Sequence, residues 1–556
     1  MVGLLRPAWL TLWAAILAWF FTAMAAQLNN VYYQYHPFLG DTASFYSSQL
    51  ELWQAAQSAP KRTVIWDRFF AEWKNPGLYL SYLFLPSSQL ASANGHLLFT
   101  GFALWSFLAT FGIAVLKRVG SVTYATVAPL VLFSFAGLFD PLYQIPSKLA
   151  DPPAAFFFGA TLMAIFASEG AKRLPWLLLV GTLIALTLLS RFTAAGYVFV
   201  AAAPLLAFYW IQLLSRRQFR TVLMGIACVV APIVVLAGYH LVTYLALVLE
   251  FYRTAGYGLN QGVVAAIATT GEKFFALYFQ PWGIAVPGLM AAFYIAQYWR
   301  LARWQDVFLT FWPVIAHPVL ILLVLTVKDD APQLTYVIGP YMLLAVAPFG
   351  LRRERETHNT EVNPRTYALA CAPFLVTLAL SVPQVTAVRT YVYHISPQHI
   401  TYALLSRSLA NVSADYSRRL KRPVTIDAAF DYYWRYVQPT ARHAYGAVLL
   451  TTRRFDVRQE QWRSRKGMGA STDPGYADRA IPEMMDYYRE YTDLLFLLTD
   501  PDAPEAFEAM KDPFTIDMAK RLRAALQADP SWNMTKSGIV GPYGEVEVWR
   551  NVRRTQ

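Results

Sequence analysis

Several ionisable residues of this chain stand beside long apolar runs. They are Asp41 in LGDTASFYSSQ, Asp140, Lys148 and Asp151 in FDPLYQIPSKLADPPAAFFF, Arg191 in LLSRFTAAG, Lys273 in TTGEKFFALYF and Lys328 in TVKDDAPQLTYVIGPY. A charge buried centrally in a bilayer costs roughly 3 kcal/mol or more unless it faces a cavity or a partner. Acids and cations at the ends of such runs suit transfer of a sugar from a lipid-phosphate donor. A carboxylate would accept the proton of the attacking hydroxyl, which is a poor nucleophile near neutral pH. Lys or Arg would neutralise the departing phosphate without a metal, and the lipid tail would need a groove among apolar helices. Nothing in the chain reads as a P-loop, a HExxH zinc site or a Ser-His-Asp elbow.

The elements that must carry these groups are membrane helices. The chain has 556 residues, of which 56% are hydrophobic and only 15% charged, against about 25% charged in an ordinary soluble domain. Its mean hydropathy is +0.33. Apolar runs near 7–26, 94–116, 122–139, 153–168, 174–189, 193–214, 221–247, 276–297, 307–327, 334–350 and 366–386 predict a polytopic α-helical bundle of about 11 transmembrane helices. The net charge of +12 is a topology signal, because Lys117-Arg118, Lys172-Arg173, Arg216-Arg217 with Arg220, Arg300 with Arg303, and Arg352-Arg353 with Arg355 each close an even-numbered run. That alternation puts the N-terminus in the cytoplasm and the C-terminal region outside the cytoplasmic membrane, on the periplasmic side, and argues against a nucleic-acid partner. The first run is read as a retained signal anchor. Cys228 and Cys371 both lie in apolar runs and read as small buried hydrophobes.

Two domains are expected: a membrane module over 1–389 and a soluble extracytoplasmic α/β or α+β domain over 390–556. Within the first module, 27–93 is a long outer loop whose SSQLELWQAAQ and WDRFFAEWKNPGLYLSYLFLP stretches predict helices lying along the membrane surface. In the second, RPVTIDAAFDYY, YGAVLLTTRRF and TDLLFLLTD predict short strands, PEAFEAMKDPFTIDMAKRLRAAL a helix, and GPYGEVEVWR an edge strand or hairpin.

This layout resembles the GT-C superfamily of integral-membrane glycosyltransferases, which includes protein O-mannosyltransferases and bacterial lipid A aminoarabinose transferases. The resembling parts are the long first outer loop opening with GDTASFY, the ADPPAAFFF start of the fourth run, the SRFTAAG turn before the sixth, and DDAPQLTYVIGPY; together they cover roughly residues 1–390. The resemblance implies that Asp41 is the catalytic base and Asp151 a second site residue. It also implies that Lys328, before the Tyr336-x-x-x-Pro340 stretch, meets the donor phosphate. Asp41 is followed by Thr42 where several relatives have a second acid, and Thr335 precedes Tyr336 where relatives often have Arg.

The residues also have plainer readings. Asp41 after Gly40 suits a turn or helix cap, Asp151 suits a helix cap, and Arg191 suits snorkelling at the interface. His240 and His317 read as hydrogen-bonded structural residues. NVS at Asn411 and NMT at Asn533 match a glycosylation pattern common by chance. The expectation is an inverting glycosyltransferase that uses a polyprenyl-phosphate-linked sugar and a glycan, lipid or protein acceptor at the outer face of the membrane. Asp41 is the base, and Asp151 orients the acceptor or Asp41, or binds a divalent cation if one is used. Lys148, Arg191, Lys273 and Lys328 hold the phosphate, with Asp140 and Tyr336 as further candidates. No metal-ligand cluster is called for. The alternatives are an oligosaccharide ligase, a lipid or sugar flippase-transporter, or an assembly scaffold.

Overall fold

The structure is a computed structural model. Apart from short gaps it describes residues 2–35, 52–134, 145–254, 411–429, 449–450, 476–497 and 513–555, with isolated positions at 45, 49, 138 and between 312 and 343. The chain divides into two compact units, one of Met1–Leu28, Ala59–Pro86 and Asn94–Val392, the other of Asn29–Ser58, Ser87–Ala93 and Tyr393–Gln556.

The first unit is built of helices. They are α1 (Val2–Tyr35, in this unit as far as Leu28), α2 (Lys61–Ala71), α3 (Gly77–Phe84), α4 (Leu97–Val119), α5 (Val122–Val127), α6 (Asp151–Ala167), α7 (Leu174–Ser190), α8 (Ala194–Ser215) and α9 (Phe219–Thr254). Among the described residues four stretches are long and apolar enough to cross a membrane: Arg6–Asn29, Leu97–Lys117, Ala194–Ser215 and Phe219–Glu250. Asp151–Ala167 and Leu174–Ser190 are shorter apolar helices. These six stretches fall on six of the expected runs.

The run expected at 122–139 differs. It is the short α5 followed by a 3-10 segment, Ala128–Ser134. Pro129 has no N–H to give the carbonyl four residues back, and the ring breaks the α-helical ladder there. The runs expected at 276–297 and 366–386, and most of 307–327 and 334–350, lie outside the described residues.

Local signals explain several boundaries. Gly120 adopts φ 78° and closes α4 by donating its N–H to Leu116 at 2.8 Å, a left-handed cap that glycine reaches without a Cβ penalty. Ser121 then caps α5 by accepting from the Tyr124 N–H at 3.2 Å. At α6, Asp151-Pro152-Pro153 open the helix where missing N–H groups cost nothing. All of α6 is buried, as an apolar helix without a polar face should be, and it packs between α4 and α7.

Glycines let these helices meet backbone to backbone. A Cβ on Gly181 of α7 would collide with the Val229 carbonyl of α9, and one on Gly339 would come within 2.5 Å of the Gly159 Cα in α6. Small residues at such crossings are how apolar helices gain contact when the hydrophobic effect favours neither partner over lipid.

Of the helices expected in the first outer loop, those in WDRFFAEWKNPGLYLSYLFLP fall on the end of α2 and on α3, and much of SSQLELWQAAQ lies outside the described residues. The C-terminal end of α2 is held by α9: the His240 imidazole bonds the Phe69 carbonyl at 2.9 Å and the Tyr244 hydroxyl donates to the Phe70 carbonyl at 2.7 Å. His240 is therefore the structural histidine its apolar surroundings suggested, and the Nε2 position carries the hydrogen.

The second unit contains a five-stranded sheet. Its strands are β1 (Thr425–Ala429), β2 (Leu449–Leu450), β3 (Leu494–Leu497), β4 (Trp532–Gly541) and β5 (Gly544–Asn551), in the order β2-β1-β3-β5-β4. β1 runs parallel to β2 and β3, and β5 antiparallel to β3 and β4. Helices α10 (Tyr476–Tyr491) and α11 (Pro513–Ala528) supply Met484, Met485, Tyr488, Leu522 and Leu526 to a core shared with Leu495, Leu497, Trp532 and Trp549. The strands and helix foreseen from sequence fall on β1, β2, β3, β5 and α11; α10 and β4 were not foreseen.

Behind β3, the fully buried Asp493 accepts from both terminal nitrogens of Arg422, at 2.7 and 2.9 Å, and from Arg554 Nε at 3.0 Å. Arg554 sits in the closing turn α12 (Val552–Thr555), so one carboxylate ties the start of the sheet to the end of the chain. The hydrogen bond that Arg422 donates to Asp493 raises the Arg422 value further above its already high ordinary one, against the opposing effect of burial.

Candidate active site at the ends of α6 and α7

Asp151 is the first residue of α6 and is only 1% exposed, while Arg191 follows directly on the last residue of α7. The Arg191 backbone is extended, φ −158° and ψ 120°, because its N–H closes the α7 ladder on Thr187 at 3.0 Å and the chain then leaves the helix. That exit turns the side chain back over α6. Arg191 Nη1 lies 2.9 Å from Asp151 Oδ2, with the guanidinium side chain 19% exposed.

The capping role expected of Asp151 is not the one it takes. The cap position is Ala150, and the carboxylate is instead paired with Arg191. Its charge still stands at a helix N-terminus, where the dipole favours an anion. Arg191, for which snorkelling was the plainer reading, makes an ion pair. A carboxylate buried to this degree is tolerable only with a partner.

The segment leading into α6 is anchored from α4. The His96 imidazole, 1% exposed, meets the Pro146 carbonyl at 3.1 Å, and the Ile145 N–H donates to Leu138 at 3.1 Å.

Two helical turns along α6 from Asp151, Phe158 meets Tyr197 of α8 and Tyr336, with ring centroids 6.1 and 6.2 Å apart. Tyr197 and Tyr336 stack on one another, centroids 4.1 Å apart and planes within 4°. Both are buried. Gly159, next to Phe158, is where Gly339 crosses, so Tyr336 and Gly339 seat one segment against α6.

Of the residues singled out by sequence, the structure thus brings Asp151 and Arg191 together and places Tyr336 two turns away. Asp41, Asp140, Lys148, Lys273 and Lys328 lie outside the described residues. Sequence reading missed His96, Tyr197 and Phe158. His96 had a readable signal, a lone histidine at the start of an apolar run; a tyrosine and a phenylalanine among so many aromatics had none. Among the described residues no three His, Cys, Asp or Glu side chains converge as a metal site.

No family model matches the sequence, and no curated protein matches it significantly. Solved structures do. The crystal structure of ArnT from Cupriavidus metallidurans in the apo state superposes with a TM-score of 0.51 at 12% identity, over 96% of this chain and 98% of that one. The same enzyme bound to undecaprenyl phosphate gives a TM-score of 0.49 at 11% identity, over 95% and 97%. The chain has an ArnT-like fold. The Asp151–Arg191 pair lies in two of the four stretches that carried the resemblance, ADPPAAFFF and SRFTAAG.

Proposed function

We propose that this protein is an inverting glycosyltransferase. It moves a sugar from a polyprenyl-phosphate donor to an acceptor hydroxyl at the outer face of the cytoplasmic membrane. The observation that carries the reading is the ion pair of Asp151 and Arg191, a buried acid and a cation held at the ends of two apolar helices. Intramembrane ionisable residues of this kind mark functional sites by default, and the ArnT-like fold supports the reaction class.

In this reading the Asp41 carboxylate takes the proton of the acceptor hydroxyl as its oxygen attacks the anomeric carbon from the face opposite the phosphate. The bond from that carbon to the phosphate oxygen breaks, and the electron pair leaves with the lipid phosphate. Lys148, Arg191, Lys273 and Lys328 supply the positive charge that meets the departing oxyanion. Asp151 orients Asp41 or the acceptor. Asp140 and Tyr336 are further candidates for the site. The region 390–556 acts as an extracytoplasmic domain that positions a glycan, lipid or protein acceptor.

The test is transfer by the purified protein with a panel of radiolabelled polyprenyl-phosphate sugars, with Asp41→Asn alongside. Label should reach an acceptor only with the wild type. Full transfer by a well-folded Asp41→Asn variant removes the base. Failure of every donor, together with lipid or sugar movement in proteoliposomes, turns the reading to a flippase.

A further inference from the structure

Helix α8 is not a regular α-helix. Residues Val198–Ala202 form a π turn, closed by the Ala203 N–H donating to the Val198 carbonyl five residues back. Pro204 follows at once. A proline there has no N–H for the Val200 carbonyl, and in a straight α-helix its ring would strike that carbonyl. Widening to a π turn carries the carbonyl outward. The vacancy is filled from a distant part of the chain: the Trp312 indole N–H donates to the Val200 carbonyl at 3.0 Å.

The wide turn also sets the facing of everything before it. Were residues 198–202 to tighten into α-helix, the part of α8 ahead of them would rotate by about 100° against the part behind, one residue's share of a turn. Tyr197 is the last residue before the π turn, and it is the one stacked on Tyr336. Arg191 lies six residues further back, on the strand-like exit from α7. The orientation of Tyr197 and the path leading to Arg191 thus depend on a turn that Pro204 creates and Trp312 satisfies.

We infer that Trp312 is a positioning residue. By capping Val200 it holds the π turn that registers the Arg191 end of α8 against Asp151 and Tyr336. It touches no substrate; it acts through Arg191. The inference rests on the proposed use of Arg191 for the donor phosphate, and π turns inside helices are often found at functional sites.

Two variants of the full-length protein in detergent test it. Trp312→Phe keeps the ring and removes the donor. Its KM for the lipid-phosphate donor should rise about tenfold, the worth of one hydrogen bond to a buried carbonyl, with kcat within about twofold of the wild type. Pro204→Ala gives Val200 an N–H from its own helix and favours an ordinary α turn. It should show the same raised KM with kcat near that of the wild type, a split that a purely structural role for these residues does not produce. Hydrogen exchange over 194–206 supplies a readout that needs no turnover, and Trp312→Phe should speed it about tenfold. Faster exchange in a protein whose wild type transfers no sugar would leave the π turn's dependence on Trp312 standing and remove only the enzymatic reading. Wild-type KM in both variants, or unchanged exchange in Trp312→Phe, overturns the inference.

Discussion

Arg191 Nη1 stands 2.9 Å from Asp151 Oδ2, joining the exit of α7 to the first residue of α6. The two halves of this pair are unequally placed, since Asp151 is 1% exposed and the Arg191 side chain 19%. Removing the cation therefore takes its charge partner from a buried anion, whereas removing both charges leaves no buried charge. Arg191→Met should destabilise the protein by about 3–5 kcal/mol. The double variant Asp151→Asn/Arg191→Met should be the more stable of the two, read as thermal unfolding in detergent. A double variant no better than Arg191→Met would mean the pair is not what holds these helix ends.

Activity should separate the partners in a different way. Arg191→Lys keeps a charge but loses the planar fork that suits both carboxylate and phosphate. Transfer at subsaturating donor should fall by about tenfold or more, the order expected for one charge-assisted contact, while the melting temperature stays near that of the wild type. Donor titration with the purified variant checks this, and an unchanged KM would take Arg191 out of the phosphate set.

The crossing of Gly159 and Gly339 leaves no room for a side chain. A Cβ on Gly339 would lie 2.5 Å from the Gly159 Cα, and one on Gly159 2.8 Å from the Phe107 ring and 3.1 Å from the Gly339 Cα. A phenylalanine ring can shift, but backbone cannot. Gly339→Ala should therefore cost more than Gly159→Ala, about 1–3 kcal/mol by the usual price of overpacking. Because Gly339 and Tyr336 belong to one short segment, Gly339→Ala should also disturb the Tyr197–Tyr336 stack and lower transfer. Equal melting temperatures for the two variants would contradict the close approach.

Much of this was legible because membrane helices write themselves into sequence as long apolar runs punctuated by charge. Six of the expected runs coincide with described apolar helices, and Asp151 and Arg191 stood out as charges at their ends. What periodicity does not carry is pairing. Asp151 read equally well as a helix cap, since Asp before two prolines is a natural helix start; only the extended backbone of Arg191 sends the guanidinium to it. The 122–139 run misled because hydropathy is blind to what Pro129 does to the helical ladder. The π turn in α8 had a visible mark in Pro204, but its partner Trp312 lies 112 residues from Val200 and is one tryptophan among 17. In the second unit, β4 was missed because WNMTKSGIVG lacks strict alternation, and its pairing with β5 carries an irregularity between Lys536 and Val540.

The last prediction concerns pH and the second unit. Burial works to raise the Asp529 carboxyl, but the hydrogen bond from Arg489 Nε at 2.7 Å and then the Ser531 N–H at 2.8 Å outweigh it, and the group titrates below its ordinary value of 3.8. A carboxyl whose folded value is depressed stabilises the fold above the unfolded value and stops doing so as pH falls through the folded one. Asp529 should thus contribute fully at neutral pH, less as the pH drops past 3.8, and nothing once the folded group is protonated. Arg489 is 42% exposed, so screening limits the contribution to about 1 kcal/mol. Melting the wild type beside Asp529→Asn at stepped pH measures it: the gap between the two should be constant above about pH 5 and close on acidification. A gap that persisted unchanged at the lowest pH would show that the Asp529 charge is not what joins α10 to the turn before β4.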